Sequence, residues 1–190
     1  RCLSGPQPSA KIVPMTTDHH SPHSVSSHEL ARLAMRVGER LRERGWRLAT
    51  AESCTGGWVA KTITDIAGSS DWFDRGFVTY SNAAKQEMLG VDAGLIENHG
   101  AVSASVVRAM VEGALAHSQA DVALAVSGIA GPGGGSPEKP VGTVWFAWGQ
   151  TGSGSVTRRE CFTGDREAVR AQAVRTALFG LLAYLNAPNA

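Results

Sequence analysis

Asp121-Val122-Ala123-Leu124-Ala125-Val126-Ser127 is the stretch that decides the fold. Every residue between its terminal Asp and Ser is apolar, so neither side of a strand built from it is suited to water. Such a strand is covered on both faces, as in a sheet buried between helices. Working outward, the glycine-rich segment Gly128 to Pro140 reads as a loop and Val141 to Trp148 as a second strand. A turn from Gly149 to Gly154 leads into Ser155 to Phe162, whose alternating polarity suits a half-exposed strand. Asp165 is placed to cap a last helix with Val174, Leu178, Leu181, Leu182 and Leu185 on its core face.

Upstream, Ser103 caps a helix running to about His117, and two shorter helical pieces end near Gly90 and Gly100. Arg75 to Tyr80 reads as a strand, Trp58 to Ile66 as a helix closed by Gly68, and Arg47 to Ala51 as the first strand. Ser26 and Glu29 form a capping box for a helix along Leu30, Leu33, Ala34, Val37 and Leu41, stopped by Gly45. Helices alternating with strands, then a strand pair, predict an α/β chain: a three-layer α/β/α sandwich on a mixed sheet of about five strands. One domain is expected over residues 26–187. Residues 1–25 hold Pro6, Pro8, Pro14 and Pro22 without apolar periodicity and read as a flexible tail, with Met15 a candidate natural start.

Composition narrows the function classes. The 190 residues are 43% hydrophobic and 18% charged, with a net charge of +1. The Arg40, Arg42, Arg44 and Arg47 cluster is interleaved with Glu39 and Glu43 and reads as a solvated helix face, not a nucleic-acid patch. Cys2, Cys54 and Cys161 are odd in number and far apart, which fits neither a disulfide framework nor a zinc site. No apolar run reaches the roughly 18 residues of a membrane span. A cytoplasmic protein without nucleic-acid or membrane partners is expected.

Two segments concentrate unusual residues at the C-terminal ends of strands, where open α/β sheets bind ligands. In Glu52-Ser53-Cys54-Thr55-Gly56-Gly57, Ser53 leaves a strand just before a helix, and the glycines let backbone approach a ligand. The free N–H groups opening that helix favour an anion. Ser53 also fits a simple N-cap, but the full set exceeds what a cap requires. The second segment, Ser127-Gly128-Ile129-Ala130-Gly131-Pro132-Gly133-Gly134-Gly135-Ser136, lacks both the Walker and the dinucleotide patterns. What remains is a loop whose backbone donors are candidates to surround a phosphate or ribose, the alternative being a merely flexible surface loop.

A nucleophilic serine needs a base. His99 reads as a turn residue and His117 as an exposed helix end, so a Ser-His-Asp triad is poorly supported. Lys85 follows Tyr80 just after a strand, and burial would bring its amine towards neutrality. Lys61 would point away from the Ser53 turn. In Ser136-Pro137-Glu138-Lys139 the prolines oppose the helical turn that a Ser-x-x-Lys pair needs.

Further segments complete the pattern: Gly68-Ser69-Ser70, Gly76-Phe77-Val78-Thr79-Tyr80-Ser81-Asn82 through Lys85, His99-Gly100-Ala101-Val102-Ser103, and Lys139-Pro140-Val141-Gly142-Thr143-Val144. With Ala51 to Gly57 and Ser127 to Pro132, they resemble the CinA C-terminal domain family over roughly residues 30 to 185. The resemblance is narrower to its stand-alone nicotinamide-nucleotide amidases. It implies hydrolysis of the carboxamide of nicotinamide mononucleotide to nicotinic acid mononucleotide and ammonia, on an α/β/α sandwich. The family serine falls on Ser53, with its tyrosine and lysine on Tyr80 and Lys85. Thr55, Gly56 and Gly57 would contact the substrate, their backbone donors around the oxyanion. Gly131, Gly133 and Gly134 would hold the ribose-phosphate end, without cofactor or metal. A homo-oligomer is expected. Two alternatives stay open: a cysteine-dependent amidase using Cys54, and a non-catalytic nucleotide-binding regulatory module.

Overall fold

The computed structural model describes residues 25–187. The expectations for the tail, with Met15, lie outside the described residues except at Val25, which packs against the core. Five strands form one sheet in the order β2-β1-β3-β4-β5. They are β1 (Leu48–Glu52), β2 (Phe73–Val78), β3 (Val122–Gly128), β4 (Thr143–Gln150) and β5 (Ser155–Cys161). Strand β1 runs parallel to β2 and β3, and the last two strands turn back antiparallel, so the sheet is mixed.

Helices cover both faces. On one side lie α1 (Ser27–Arg44), α2 (Trp58–Thr64) and α6 (Arg166–Leu185); on the other lie α3 (Asn82–Leu89), α4 (Ala93–His99) and α5 (Ala104–Ala116). The caps foreseen at Ser26, Ser103 and Asp165 are made, each side-chain oxygen accepting from a backbone amide three residues on. Gly45 and Gly90 close their helices in the left-handed region.

The alternation inside β1 and β3 sorts the core. Leu48, Val122, Leu124 and Val126 face α1 and α6 together with Phe146 and Trp148 of β4. The intervening Ala49, Ala51, Ala123 and Ala125 face α5, where Val107, Met110 and Val111 fill the thinner layer. Small residues under α5 let that helix sit close to the sheet, and Gly113 does the same for α3. A Cβ at Gly113 would collide with the Leu89 carbonyl, so glycine there allows α3, which carries Lys85, to lie tight against α5.

Element ends differ from expectation by a residue or two. Strand β2 starts at Phe73 and stops at Val78, because Ser81 already caps α3 and Thr79 serves the ladder by donating to the Glu52 carbonyl at 2.8 Å. Helix α2 ends at Thr64, and β4 begins at Thr143 after Gly142 turns the chain at φ 94. Among the described residues no helix is long and apolar enough to cross a membrane.

Candidate active site

The site is built where β1 gives way to α2. Strand alternation continues through three polar residues and sends them to different places. Glu52 points to the α2 side, Ser53 to the α3 side, and Cys54 back into the core beneath α1 and α6. The Ser53 amide extends the sheet by donating to the Val126 carbonyl at 2.9 Å, which fixes the backbone under the hydroxyl.

Lys85 comes from the first turns of α3. Ser81 caps that helix by accepting from the Ala84 amide at 3.0 Å, one residue before the lysine. The lysine is buried, with 1% of its surface exposed. Its Nζ donates to Ser53 Oγ at 3.1 Å and to the Thr79 carbonyl at 2.8 Å. Burial lowers the lysine pKa from its ordinary value, because a desolvated ammonium is disfavoured; the neighbouring Cys54 opposes the shift. A lysine whose pKa is lowered and whose amine lies 3.1 Å from a serine hydroxyl has the arrangement that a nucleophile and its base require.

Cys54 has the opposite character. Its thiol is pushed up to about 12, first by burial, so it remains a neutral S–H under ordinary conditions. Glu52 is fully buried and accepts from the amides of Gly57 at 3.0 Å, Val59 at 3.0 Å and Ala60 at 2.8 Å. The anion expected at the start of α2 is therefore the protein's own carboxylate. Gly56 is engaged as well, its amide donating to the Ser53 carbonyl at 3.0 Å. Gly56 and Gly57 both adopt positive φ, 61 and 92, which makes the tight turn possible.

The other candidates divide. Tyr80 is 60% exposed and its hydroxyl accepts from Arg166 Nη2 at 2.7 Å, with no hydrogen bond to Ser53 or Lys85. Arg166 Nη1 also donates to the Gly131 carbonyl at 2.7 Å, so one guanidinium joins the tyrosine to the glycine loop. Gly131 is buried at the loop base, while Gly133 and Gly134 are exposed. The loop is tied down further on, where Lys139 Nζ donates to the His99 carbonyl at 2.7 Å and Arg159 Nη2 to the Glu138 carbonyl at 3.1 Å. His99 and His117 make no hydrogen bond to Ser53, and Lys61 pairs with Asp65 at 2.6 Å. The Ser136 hydroxyl donates to Glu138 instead of meeting the Lys139 amine.

Glu52, Arg166 and Arg170 are site residues that sequence reading passed over. Arg170 Nε donates to the Cys54 carbonyl at 3.1 Å and its Nη2 to the Thr55 carbonyl at 2.9 Å. A usable signal existed for Arg166: a cation in the first turn of α6 opposes the helix dipole, which suggests a partner elsewhere. Among the described residues no cluster of three or more His, Cys, Asp or Glu is arranged to hold a metal ion. A separate cavity of about 470 Å³, bordered by α1, α2 and α6, includes neither Ser53 nor Lys85 in its lining.

Comparison with known proteins follows the same residues. The CinA C-terminal domain profile matches residues 30–185. A protein of Escherichia coli (strain K12) called nicotinamide-nucleotide amidohydrolase PncC is 60% identical over 154 residues, covering 81% of this chain and 93% of that one. A protein of the same name from Pseudomonas putida is 59% identical over 150 residues, covering 79% and 93%. The crystal structure of the competence/damage inducible protein CihA from Agrobacterium tumefaciens superposes with a TM-score of 0.81 at 46% identity, covering 84% of this chain and 96% of that one. By profile, sequence and fold alike, the chain belongs to the CinA C-terminal domain family.

Proposed function

We propose that this protein is an amidohydrolase converting nicotinamide mononucleotide to nicotinic acid mononucleotide and ammonia, with Ser53 as nucleophile and Lys85 as its base. The observation that carries the residue assignment is the 3.1 Å contact between Lys85 Nζ and Ser53 Oγ inside a buried site. The names of relatives near 60% identity support the substrate.

The chemistry follows from that contact. In the neutral amine the Thr79 carbonyl keeps one N–H, and the lone pair takes the place of the N–H that faces Ser53 Oγ, ready to accept the serine proton. Lys85 accepts that proton as Ser53 Oγ bonds to the carboxamide carbon and the carbonyl π pair moves onto oxygen. Collapse of the adduct breaks the C–N bond, and the proton held by Lys85 goes to the departing nitrogen as ammonia. Lys85 then takes a proton from water as the water oxygen bonds to the acyl carbon, and returns it to Ser53 Oγ as the ester C–O bond breaks; the acid formed releases its remaining proton to solvent as the carboxylate. A general base near its operating pH contributes about 10²- to 10⁴-fold. The glycine loop at Gly131, Gly133 and Gly134 receives the ribose-phosphate end, with Arg166 beside it as a cation.

Ammonia release from nicotinamide mononucleotide, measured with a chelator present, tests the reading. Turnover is expected without added metal. Activity that disappears with chelator and returns with zinc would overturn the serine-lysine mechanism.

A further inference from the structure

The oxyanion of an acyl-transfer adduct needs preorganised donors, and the turn after Ser53 has few to spare. Three of its amides are taken: Ser53 by the Val126 carbonyl, Gly56 by the Ser53 carbonyl, and Gly57 by Glu52. The buried amides of Cys54 and Thr55 make no hydrogen bond among the described residues, and the fully buried Thr55 has an unpartnered hydroxyl as well. Buried amides without partners are rare enough to require a reason.

Arg170 supplies the geometry. Its guanidinium holds the Cys54 and Thr55 carbonyls from the α6 side and lies 5.3 Å from the centre of the Trp58 ring. A trans peptide is planar, with C=O and N–H pointing to opposite sides. Drawing the Cys54 carbonyl towards α6 therefore turns the Thr55 N–H away from α6, towards the layer from which Lys85 reaches Ser53. Free water does not reach this fully buried residue. An oxygen held through carbon on Ser53 Oγ would enter from the nucleophile's side.

On the reading of Ser53 as nucleophile, we infer that Arg170 is a positioning residue that aims the Thr55 amide at the oxyanion. Arg170 touches no reacting atom; it acts through the peptide between Cys54 and Thr55. The amide then gains its partner only in the tetrahedral adduct, so the interaction lowers the barrier without tightening substrate binding.

The test uses Arg170→Met and Arg170→Lys in the full chain, with Ser53→Ala as reference. Arg170→Met is expected to lower kcat roughly 100-fold, within the range for losing an oxyanion donor, with KM nearly unchanged. Millimolar guanidinium ion, compared with equal sodium chloride, is expected to restore part of that rate. Arg170→Lys keeps the charge but lacks the planar pair of donors, and should also lose kcat. The aldehyde analogue of the nucleotide, which forms a hemiacetal with a serine, should lose affinity in both variants, while the product nucleotide should bind as before. Should Arg170→Met fail to fold, Arg170→Lys and the aldehyde measurement decide alone. Unchanged kcat in a folded variant, or equal losses for aldehyde and product, would overturn the inference alone. Turnover by Ser53→Ala would remove the serine reading and this inference together.

Discussion

Replacing Glu52 tests whether the buried carboxylate holds the turn that carries Ser53 in place. Glu52→Ala removes the acceptor for three amides, at 3.0, 3.0 and 2.8 Å. The Val59 amide is buried and water cannot replace the carboxylate there, a loss of about 1–3 kcal/mol for an unsatisfied donor. The Gly57 and Ala60 amides are half-buried, and water can recover part of each bond, leaving about 1 kcal/mol apiece. The sum is about 3–5 kcal/mol. For a domain of this size 1 kcal/mol moves Tm by about 2–4 °C, so Glu52→Ala should melt roughly 10 °C lower. Glu52→Gln keeps the shape and one acceptor oxygen but turns an NH₂ against amides that are themselves donors. It should lose about half as much. Urea unfolding at constant m-value measures both, and ammonia release at a temperature where each variant is folded reports the turn. Glu52→Ala within 1 kcal/mol of the parent, with undiminished turnover, would refute the reasoning.

Ser53→Ala and Lys85→Met should each lower kcat by several orders of magnitude, and the double variant should be little worse than either, because in the proposed mechanism base and nucleophile act as a unit. Independent losses that multiply in the double variant would separate them. Cys54→Ala should retain activity within a few-fold while costing about 1 kcal/mol from the small cavity it leaves; an inactive Cys54→Ala beside an active Ser53→Ala would reverse the assignment. Turnover should rise with pH through the lowered pKa of Lys85, because on the proposed mechanism the neutral amine is the base. Stability follows the same sign. Between the folded-state pKa and the ordinary lysine value near about 10.4, the unfolded chain binds more protons, so the wild type gains on Lys85→Met as pH rises. A stability difference flat with pH would show that Lys85 is not desolvated.

The parts of the fold that sequence reading placed well are those specified locally. Ser26, Ser103 and Asp165 each bond an amide three residues away, so short-range pattern is enough to place them. The all-apolar core of β3 likewise reports its own burial. Ser53 and Lys85 were legible as chemistry and as family motif, although their contact spans 32 residues. Arg170 was not, because its carbonyl partner Cys54 lies 116 residues away and nothing near Arg170 announces it. Glu52 was passed over for a different reason: an acid ending a strand looks solvent-facing until the following helix folds back over it. Tyr80 fell between the two. Its place beside the site was readable, but its capture by Arg166, 86 residues on, was not.

What distinguishes Ser53 from Cys54 is place, not intrinsic reactivity. A thiol is the stronger nucleophile once ionised, and here the thiol is one residue from the hydroxyl. The period of two in β1 continues into the turn, so adjacent side chains fall on opposite faces of the sheet. Cys54 goes to the thick apolar layer under α1 and α6, where burial holds it protonated. Ser53 goes to the thin, alanine-lined face, where α3 lies close enough for Lys85 to reach it. The same burial that silences the thiol suits the lysine to the proposed role of base, because desolvation opposes charge on both and therefore raises one pKa and lowers the other. A shift of one residue in β1 would exchange the two faces and put the cysteine opposite the amine. The register of β1 against β3, pinned by the Ser53 amide on the Val126 carbonyl, is thus what puts the hydroxyl and not the thiol beside the Lys85 amine, and on the proposed mechanism it selects the attacking atom.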